Sequence, residues 1–200
     1  MVEREVSYQY DVHQHRIYSD MTDYMRFPDA PLIYRDTLFL REGLIDSVSG
    51  VIQGHAIYHF KLRYNHDRQL IKVNVENIFV ANGNTLNEEH EYVWEQGDLK
   101  TFQSCRREEM VERRSYAYTL LSAYPKLSIP VPNGNLYPLQ QSGYLGMLPK
   151  RLPHSEHVFS TRSNQLITYE YSIDKGVVRL CSVYSSPEIP IFSVTYEWEK

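Results

Sequence analysis

Glu88, His90 and Cys105 are residues of this chain whose types could do chemistry together, given the strands that would carry them. A carboxylate and an imidazole two positions apart on a strand share one face, and a pocket could tune either pKa for acid–base work. A thiol set beside that imidazole would make a nucleophile–base pair. No local signature of a cysteine enzyme surrounds Cys105, so a structural thiol beside a hydrogen-bonded His90 is favoured over a catalytic dyad. Glu88 and His90 stand as the acid–base candidates.

The same face of that strand carries Tyr92 and Trp94, and a partner strand would set Thr101, Gln103 and Cys105 across from it. Aromatic rings with a few polar groups suit the wall of a ligand pocket. Tyr116, Tyr118, Tyr169 and Tyr171 could stack on an aromatic or conjugated ligand. Their alternative role is sheet packing with the hydroxyls at the rim. The ligand-binding candidates are therefore Tyr92, Trp94, Gln103, Cys105, Tyr116, Tyr118, Tyr169 and Tyr171.

These residues need a hairpin to position them. The stretch Leu86–Gln96, a turn at Gly97–Asp98 and Leu99–Arg106 supply one, with Glu95 facing Lys100, Glu89 facing Arg106 and Val93 facing Phe102. Both faces carry large apolar side chains, so the inward face stays open: either Glu88 to Trp94, or the Val93 and Phe102 side. The preceding hairpin, Gly54–Ala81, reads as scaffold. Tyr58, Phe60, Leu62 and Tyr64 alternate with His59, Lys61 and Arg63. A four-residue loop, Asn65–Arg68, would pair Leu62 with Ile71, Phe60 with Val73 and Tyr58 with Val75, with Phe79 continuing the apolar face. Asn82-Gly83-Asn84 marks the following turn.

Elsewhere, Val6–Tyr18 alternates as a single strand, broken by 20–31 with Asp29-Ala30-Pro31 as its loop. Leu32–Leu40, Gly43–Gln53 and Glu109–Leu121 are further strand segments. The last third returns to strands, with a turn at Asp174-Lys175-Gly176, another at Ser185–Pro190, and Phe192, Val194, Tyr196 and Trp198 on one closing face. Pro125–Pro153 holds six of the ten prolines, which denies it long central strands. A segment of that length in a compact domain serves as a lid, a binding loop or an arm onto a partner.

Composition bounds the function. At 42% hydrophobic, 13% aromatic and 23% charged residues, with 17 tyrosines, the chain is globular and strand-favouring. Its formal net charge of -4 is spread along the chain, so no nucleic-acid partner is expected. Apolar runs fall short of a membrane span, and the N-terminus lacks a secretory core, so a cytoplasmic location is expected. The two cysteines read as free thiols. The pairs His13/His15, His55/His59 and His154/His157 suggest metal binding, but His13 and His15 share a polar face, and Lys61 and Arg63 beside His59 would oppose a cation. No metal or cofactor is expected. Phosphate loops, dinucleotide turns, nucleophile elbows and zinc-protease motifs are all missing from the sequence.

The expected fold is all-β: one domain over 1–200, an antiparallel β-barrel or strongly curved half-barrel sheet of about eight to ten strands, with the Pro-rich loop at 125–153. In general architecture the strand pattern resembles lipocalin-like barrels and the open half-barrels of lipid carriers. The expected function is binding of a small apolar or aromatic molecule in the cavity, with isomerase- or cyclase-type chemistry as an extension and a homo-oligomer as an option. The alternative is an interaction or structural module that docks a partner through 125–153 without a small ligand.

Overall fold

The computed structural model describes residues 4–24, 31–79, 81–122, 126, 128–132, 136–161, 163–186 and 189–195. Asp29, Ala30, Pro125, Tyr196 and Trp198, all used in the sequence reading, lie outside them. So do the side chains of Phe192 and Val194.

The fold is all-β and antiparallel, as expected. Thirteen strands are described rather than about eight to ten: β1 (Arg4–Asp11), β2 (Arg16–Asp23), β3 (Leu32–Arg41), β4 (Leu44–Ile52), β5 (Ala56–Tyr64), β6 (Leu70–Phe79), β7 (Thr85–Glu95), β8 (Asp98–Arg106), β9 (Glu109–Tyr118), β10 (Pro153–Ser160), β11 (Asn164–Asp174), β12 (Val177–Ser186) and β13 (Ile189–Thr195). Strand order follows the chain from β1 to β13, so the sheet is a meander. One short helix, α1 (Tyr137–Gln141), accompanies them.

Extra strands come from turns the sequence hides. Val6–Tyr18 is a hairpin, because the Asp11 carboxylate accepts the backbone N–H groups of His13 and Gln14, each at 3.0 Å. That side-chain bond satisfies the backbone locally and turns the chain. His13 and His15 thereby lie in or beside a turn, not on one strand face. Other hairpins use two consecutive residues with positive φ, at Glu42-Gly43, Gln96-Gly97 and Lys175-Gly176. This is the twist-matched hairpin turn that favours glycine at its second central position. Arg107-Glu108 adopts the same pair of conformations without a glycine, with φ of 51° and 68°.

The chain divides into two compact units: Met1–His90 with Val131–Gly146, and Glu91–Pro130 with Met147–Lys200. In the first unit, β5 alternates strictly between buried and exposed positions. Tyr58, Phe60 and Leu62 are buried, while His59, Lys61 and Arg63 are exposed. Its register with β6 differs from the expected one: Leu62 pairs Val73, Phe60 pairs Val75 and Tyr58 pairs Asn77. The pairing jumps from Tyr64↔Leu70 to Arg63↔Lys72 and leaves Ile71 as an extra residue. A bulge of this kind turns one side chain out, and Ile71 is exposed while Leu70 takes the buried place. Phe79, placed on the apolar face by the sequence, is also exposed.

The described residues 131–132 and 136–146 belong to this first unit and are packed within it. Leu136, Leu139 and Leu145 are buried, the Ile45 N–H donates to the Tyr144 carbonyl at 2.8 Å, and the Tyr10 and Tyr144 rings lie 6.4 Å apart.

The second unit gathers Leu152, Val178, Cys181 and Val183 into a core, with Ile167, Tyr169, Tyr171 and Ile173 packed on it. Leu152 enters because its backbone is tied on both sides: its carbonyl accepts the Thr119 N–H and its own N–H donates to the Leu121 carbonyl. Ile129 is buried as well.

Candidate functional site

A pocket of about 290 Å³ lies in the second unit, lined by Glu95, Gln96, Asp98, Lys100, Tyr116, Ala117, Tyr118 and Arg151. Three pieces of chain build it: the β7–β8 turn, the end of β9, and the residues just before β10. The turn is Gln96-Gly97, one residue earlier than the sequence suggested. Asp98 therefore starts β8 and is not a turn residue.

Asp98 is the anchor. Its side chain is 4% exposed and pairs Arg151, whose Nε lies 2.6 Å from Oδ2. The Arg151 backbone N–H donates to the other oxygen, Oδ1, at 2.8 Å. A buried carboxylate must be paired and hydrogen-bonded to be tolerated, and both of its oxygens are used here. The neighbouring Lys150 N–H donates to the Gly97 carbonyl at 3.2 Å, a second clamp on the same turn. The Arg151 guanidinium lies 5.9 Å from the centre of the Tyr118 ring. At the rim, Lys100 and Glu95 pair at 3.4 Å, both more than half exposed. That contact agrees with the Glu95–Lys100 pair expected from the sequence.

The tyrosines of this unit are held, not loose. Tyr118 donates to the Leu99 carbonyl at 2.8 Å, and its ring sits 6.4 Å from that of Tyr116. Burial pushes the Tyr118 phenol up, and the Asp98 charge adds to this. Tyr116 is held up by burial and then by the Glu156 charge. Tyr169 donates to Glu156 at 2.5 Å, and its ring stacks at 14° on that of Tyr171, which donates to the Pro153 carbonyl. Tyr92 donates to the Pro130 carbonyl at 2.8 Å and packs on Phe102 at 5.3 Å.

Beside the pocket runs a charged network that the sequence did not suggest. Glu156, 4% exposed, accepts from Arg114 Nη1 at 2.8 Å and from the Tyr169 hydroxyl; Arg114 Nε also donates to Glu112 at 2.5 Å. Burial pulls the Arg114 guanidinium down, but the Glu112 hydrogen bond and the Glu156 charge outweigh it and raise it. Cross-strand pairing places the network, since Glu156 lies opposite Tyr116 and Val158 opposite Arg114.

The candidates separate as follows. Glu88 and His90 lie in the first unit, on the buried side of β7, with His90 Nε2 3.5 Å from Glu88 Oε2. Alternation along β7 buries His90 and Tyr92, half-buries Trp94 and leaves Val93 exposed, so the inward face is the one carrying Glu88 to Trp94. Val93 does not define a core side. Glu89 pairs Lys72 at 2.6 Å, in place of the Arg106 partner expected.

Gln103 does not sit beside Tyr92, which packs on Phe102. Gln103 is paired with Arg113, while Phe102 pairs Arg114, so successive residues of β8 put Gln103 and Phe102 on opposite sides. Cys105 shares Gln103's side and accepts from Gln103 Nε2 at 3.1 Å. Of the ligand-binding candidates, Tyr116 and Tyr118 line the pocket; Trp94, Tyr169 and Tyr171 are not among its lining residues.

Both cysteines are free. Burial pushes the Cys181 thiol up to about 11, and the side chain lies in the core. Ellman's reagent at pH 8 is expected to titrate Cys105 first and Cys181 at least about tenfold more slowly, because the thiolate is the reacting species. Equal rates, read with a Cys105→Ser control, would contradict this placement.

Asp98 and Arg151 escaped the sequence reading. Asp98 looked like a turn residue, and Arg151 sat in the Pro-rich segment. They are 53 residues apart, and neither carries a motif.

The fold matches that of a porin-like protein from Bacteroides vulgatus ATCC 8482, with a TM-score of 0.71 and 12% identity over 98% of this chain and 87% of that one. A porin-like protein from Bacteroides uniformis ATCC 8492 matches with a TM-score of 0.54 and 14% identity, over 95% of this chain and 87% of that one. At these identities the likeness shows the fold alone. No protein-family model matches the chain, and no curated protein does.

Proposed function

We propose that this protein binds a small molecule bearing an aromatic or apolar ring in the pocket formed by the β7–β8 turn, β9 and Arg151. The observation that carries this is the pocket itself, about 290 Å³ with two tyrosines in its wall and the Asp98–Arg151 pair held beside them. Ligand sites combine ring surface with a few oriented polar groups, and this pocket lies near the lower end of their size range. A ring would lie against Tyr116 and Tyr118, as the sequence led one to expect for those two residues.

Binding, not turnover, is the reading. Asp98 is committed to Arg151, and the acid–base candidates Glu88 and His90 are not part of the pocket lining. Residues 131–146, with three leucines buried in the first unit, favour an integral segment over a free docking arm. The exposed side of β5 carries His59, Lys61 and Arg63. Burying Lys61 or Arg63 at mid-bilayer costs roughly 2–4 kcal/mol each, which supports a water-facing strand within this porin-like fold.

Native mass spectrometry of the protein purified without denaturant tests the reading. A small-molecule adduct is expected in the wild type and is lost on denaturation. Lys100→Trp, at an exposed pocket position on the same sheet face as Tyr116, should fill the space and remove the adduct while the circular dichroism spectrum is kept. An adduct that survives in Lys100→Trp, or no adduct in either protein, would sink the proposal.

A further inference from the structure

Resting on that binding reading, we infer that the pocket selects a carboxylate on its ligand and that the Nη1 and Nη2 edge of Arg151 receives it. Three observations converge on this edge.

The first is its orientation. Arg151 spends only Nε and its backbone N–H on Asp98. Among the described residues, no acceptor takes the Nη1 and Nη2 donors, and the side chain, 36% exposed, lines the pocket. A guanidinium locked through Nε presents its remaining pair of nitrogens as a planar fork, the shape that matches a carboxylate with two parallel hydrogen bonds. The Tyr118 ring beneath the guanidinium restrains it further. Little side-chain entropy is then left to lose when the ligand arrives.

The second is the local charge. Arg151 and Lys100 line the pocket, and two more lysines stand at the same turn. A Cβ on Gly97 would come 2.8 Å from Lys150 Nζ, and Lys126 Nζ donates to Ser122 at 2.7 Å and to the Lys150 carbonyl. Against these four cations stand the carboxylates of Glu95 and Asp98, and the Glu112–Arg114–Glu156 network beside Tyr116 adds two carboxylates and one cation, a local balance of five minus four, or +1. The whole chain carries a formal charge of -4, so this corner is set apart by sign. An anion is drawn to it.

The third is a further donor. Among the described residues, the Tyr116 hydroxyl has no hydrogen-bond partner, although Tyr116 lines the pocket. Burial and the Glu156 charge hold it as a neutral phenol, so it donates rather than repels. Two guanidinium N–H groups and one phenol O–H serve the two oxygens of a carboxylate. The two tyrosine rings take the aromatic body to which that group is attached.

The test compares benzoate with benzyl alcohol, probes alike in ring and unlike in charge, by ¹⁵N chemical-shift titration of the full chain. Benzoate is expected to shift the amides of 95–100, 116–118 and 151 and to bind at least about tenfold more tightly than benzyl alcohol, the ratio expected when one charge-assisted hydrogen bond distinguishes them. Arg151→Gln should remove that preference. Since this change strips Asp98 of its partner, Arg151→Lys is the second variant: it keeps the charge, loses the fork, and should weaken benzoate while leaving benzyl alcohol unchanged. Tyr116→Phe should weaken benzoate alone.

Equal binding of the two probes would overturn the carboxylate inference and leave the binding reading standing. Shifts from neither probe would overturn both. Wild-type benzoate affinity in Arg151→Lys would remove the fork from the argument.

Discussion

Stability of the unit built on β8–β13 is expected to fall steeply above about pH 10, ending in unfolding by about pH 11.5. Tyr116, Tyr118 and Tyr169 are all raised above the ordinary phenol value, foremost by burial, and Cys181 is pushed up to about 11. In the unfolded chain these groups release their protons near pH 9–10, whereas the folded chain still holds them. The unfolded state therefore binds fewer protons, and stability declines as pH rises. The contribution is complete below about pH 9 and is lost upward through the folded values. Each phenol that stays protonated loses about 1.4 kcal/mol of stability per pH unit above 10. Three of them lose on the order of 6 kcal/mol by pH 11.5, comparable with the net stability of a small domain. Urea titrations at pH 7, 9, 10.5 and 11.5 measure this. Tyr169→Phe and Tyr116→Phe should each reduce the slope, since phenylalanine has no proton to lose. A midpoint that stays flat to pH 11.5 would contradict the burial and partners described for these rings.

Gly146→Ala is expected to cost more than about 3 kcal/mol, placing it among the diagnostic substitutions. Two costs combine there. The residue has φ of +81°, where an L side chain is strained, and a Cβ would stand 2.1 Å from the Arg68 carbonyl oxygen. That oxygen is backbone, so it cannot swing away. Gly143 provides the control, with the same φ of +81° and nothing within 4 Å of the added carbon. Gly143→Ala should cost only about 1 kcal/mol, the backbone term alone. The difference between the two in chemical denaturation reports the packing of 131–146 within its own unit. Equal costs would mean that the approach of Gly146 to Arg68 contributes nothing.

The strands were legible to different degrees, and each difference has a physical reason. The scaffold strand β5 reads directly, because Tyr58, Phe60 and Leu62 alternate with His59, Lys61 and Arg63 and nothing competes with that period. Its register with β6 slipped, because a bulge at Ile71 leaves no mark in the alternation. The β1–β2 hairpin was hidden since Asp11 makes its turn without glycine or proline. The Arg107-Glu108 turn is unmarked for the same reason. Choosing the inward face of β7 was beyond the pattern, because Val93 and Trp94 are both large and apolar.

Sequence by itself determined that this is an all-β antiparallel chain, that tyrosine is its principal aromatic, and that Tyr116 and Tyr118 share a strand face. Those are local properties, set by side-chain period and propensity within a few residues. Tertiary structure alone decided that Tyr92 packs on Phe102 and not beside Gln103, that Glu156 is buried with Arg114 and Tyr169, and that Asp98 fixes Arg151. A buried carboxylate accepts whichever cation the fold delivers to it, and that delivery depends on where a distant segment returns, not on spacing. Arg151 is oriented in this way by a carboxylate 53 residues away in the chain.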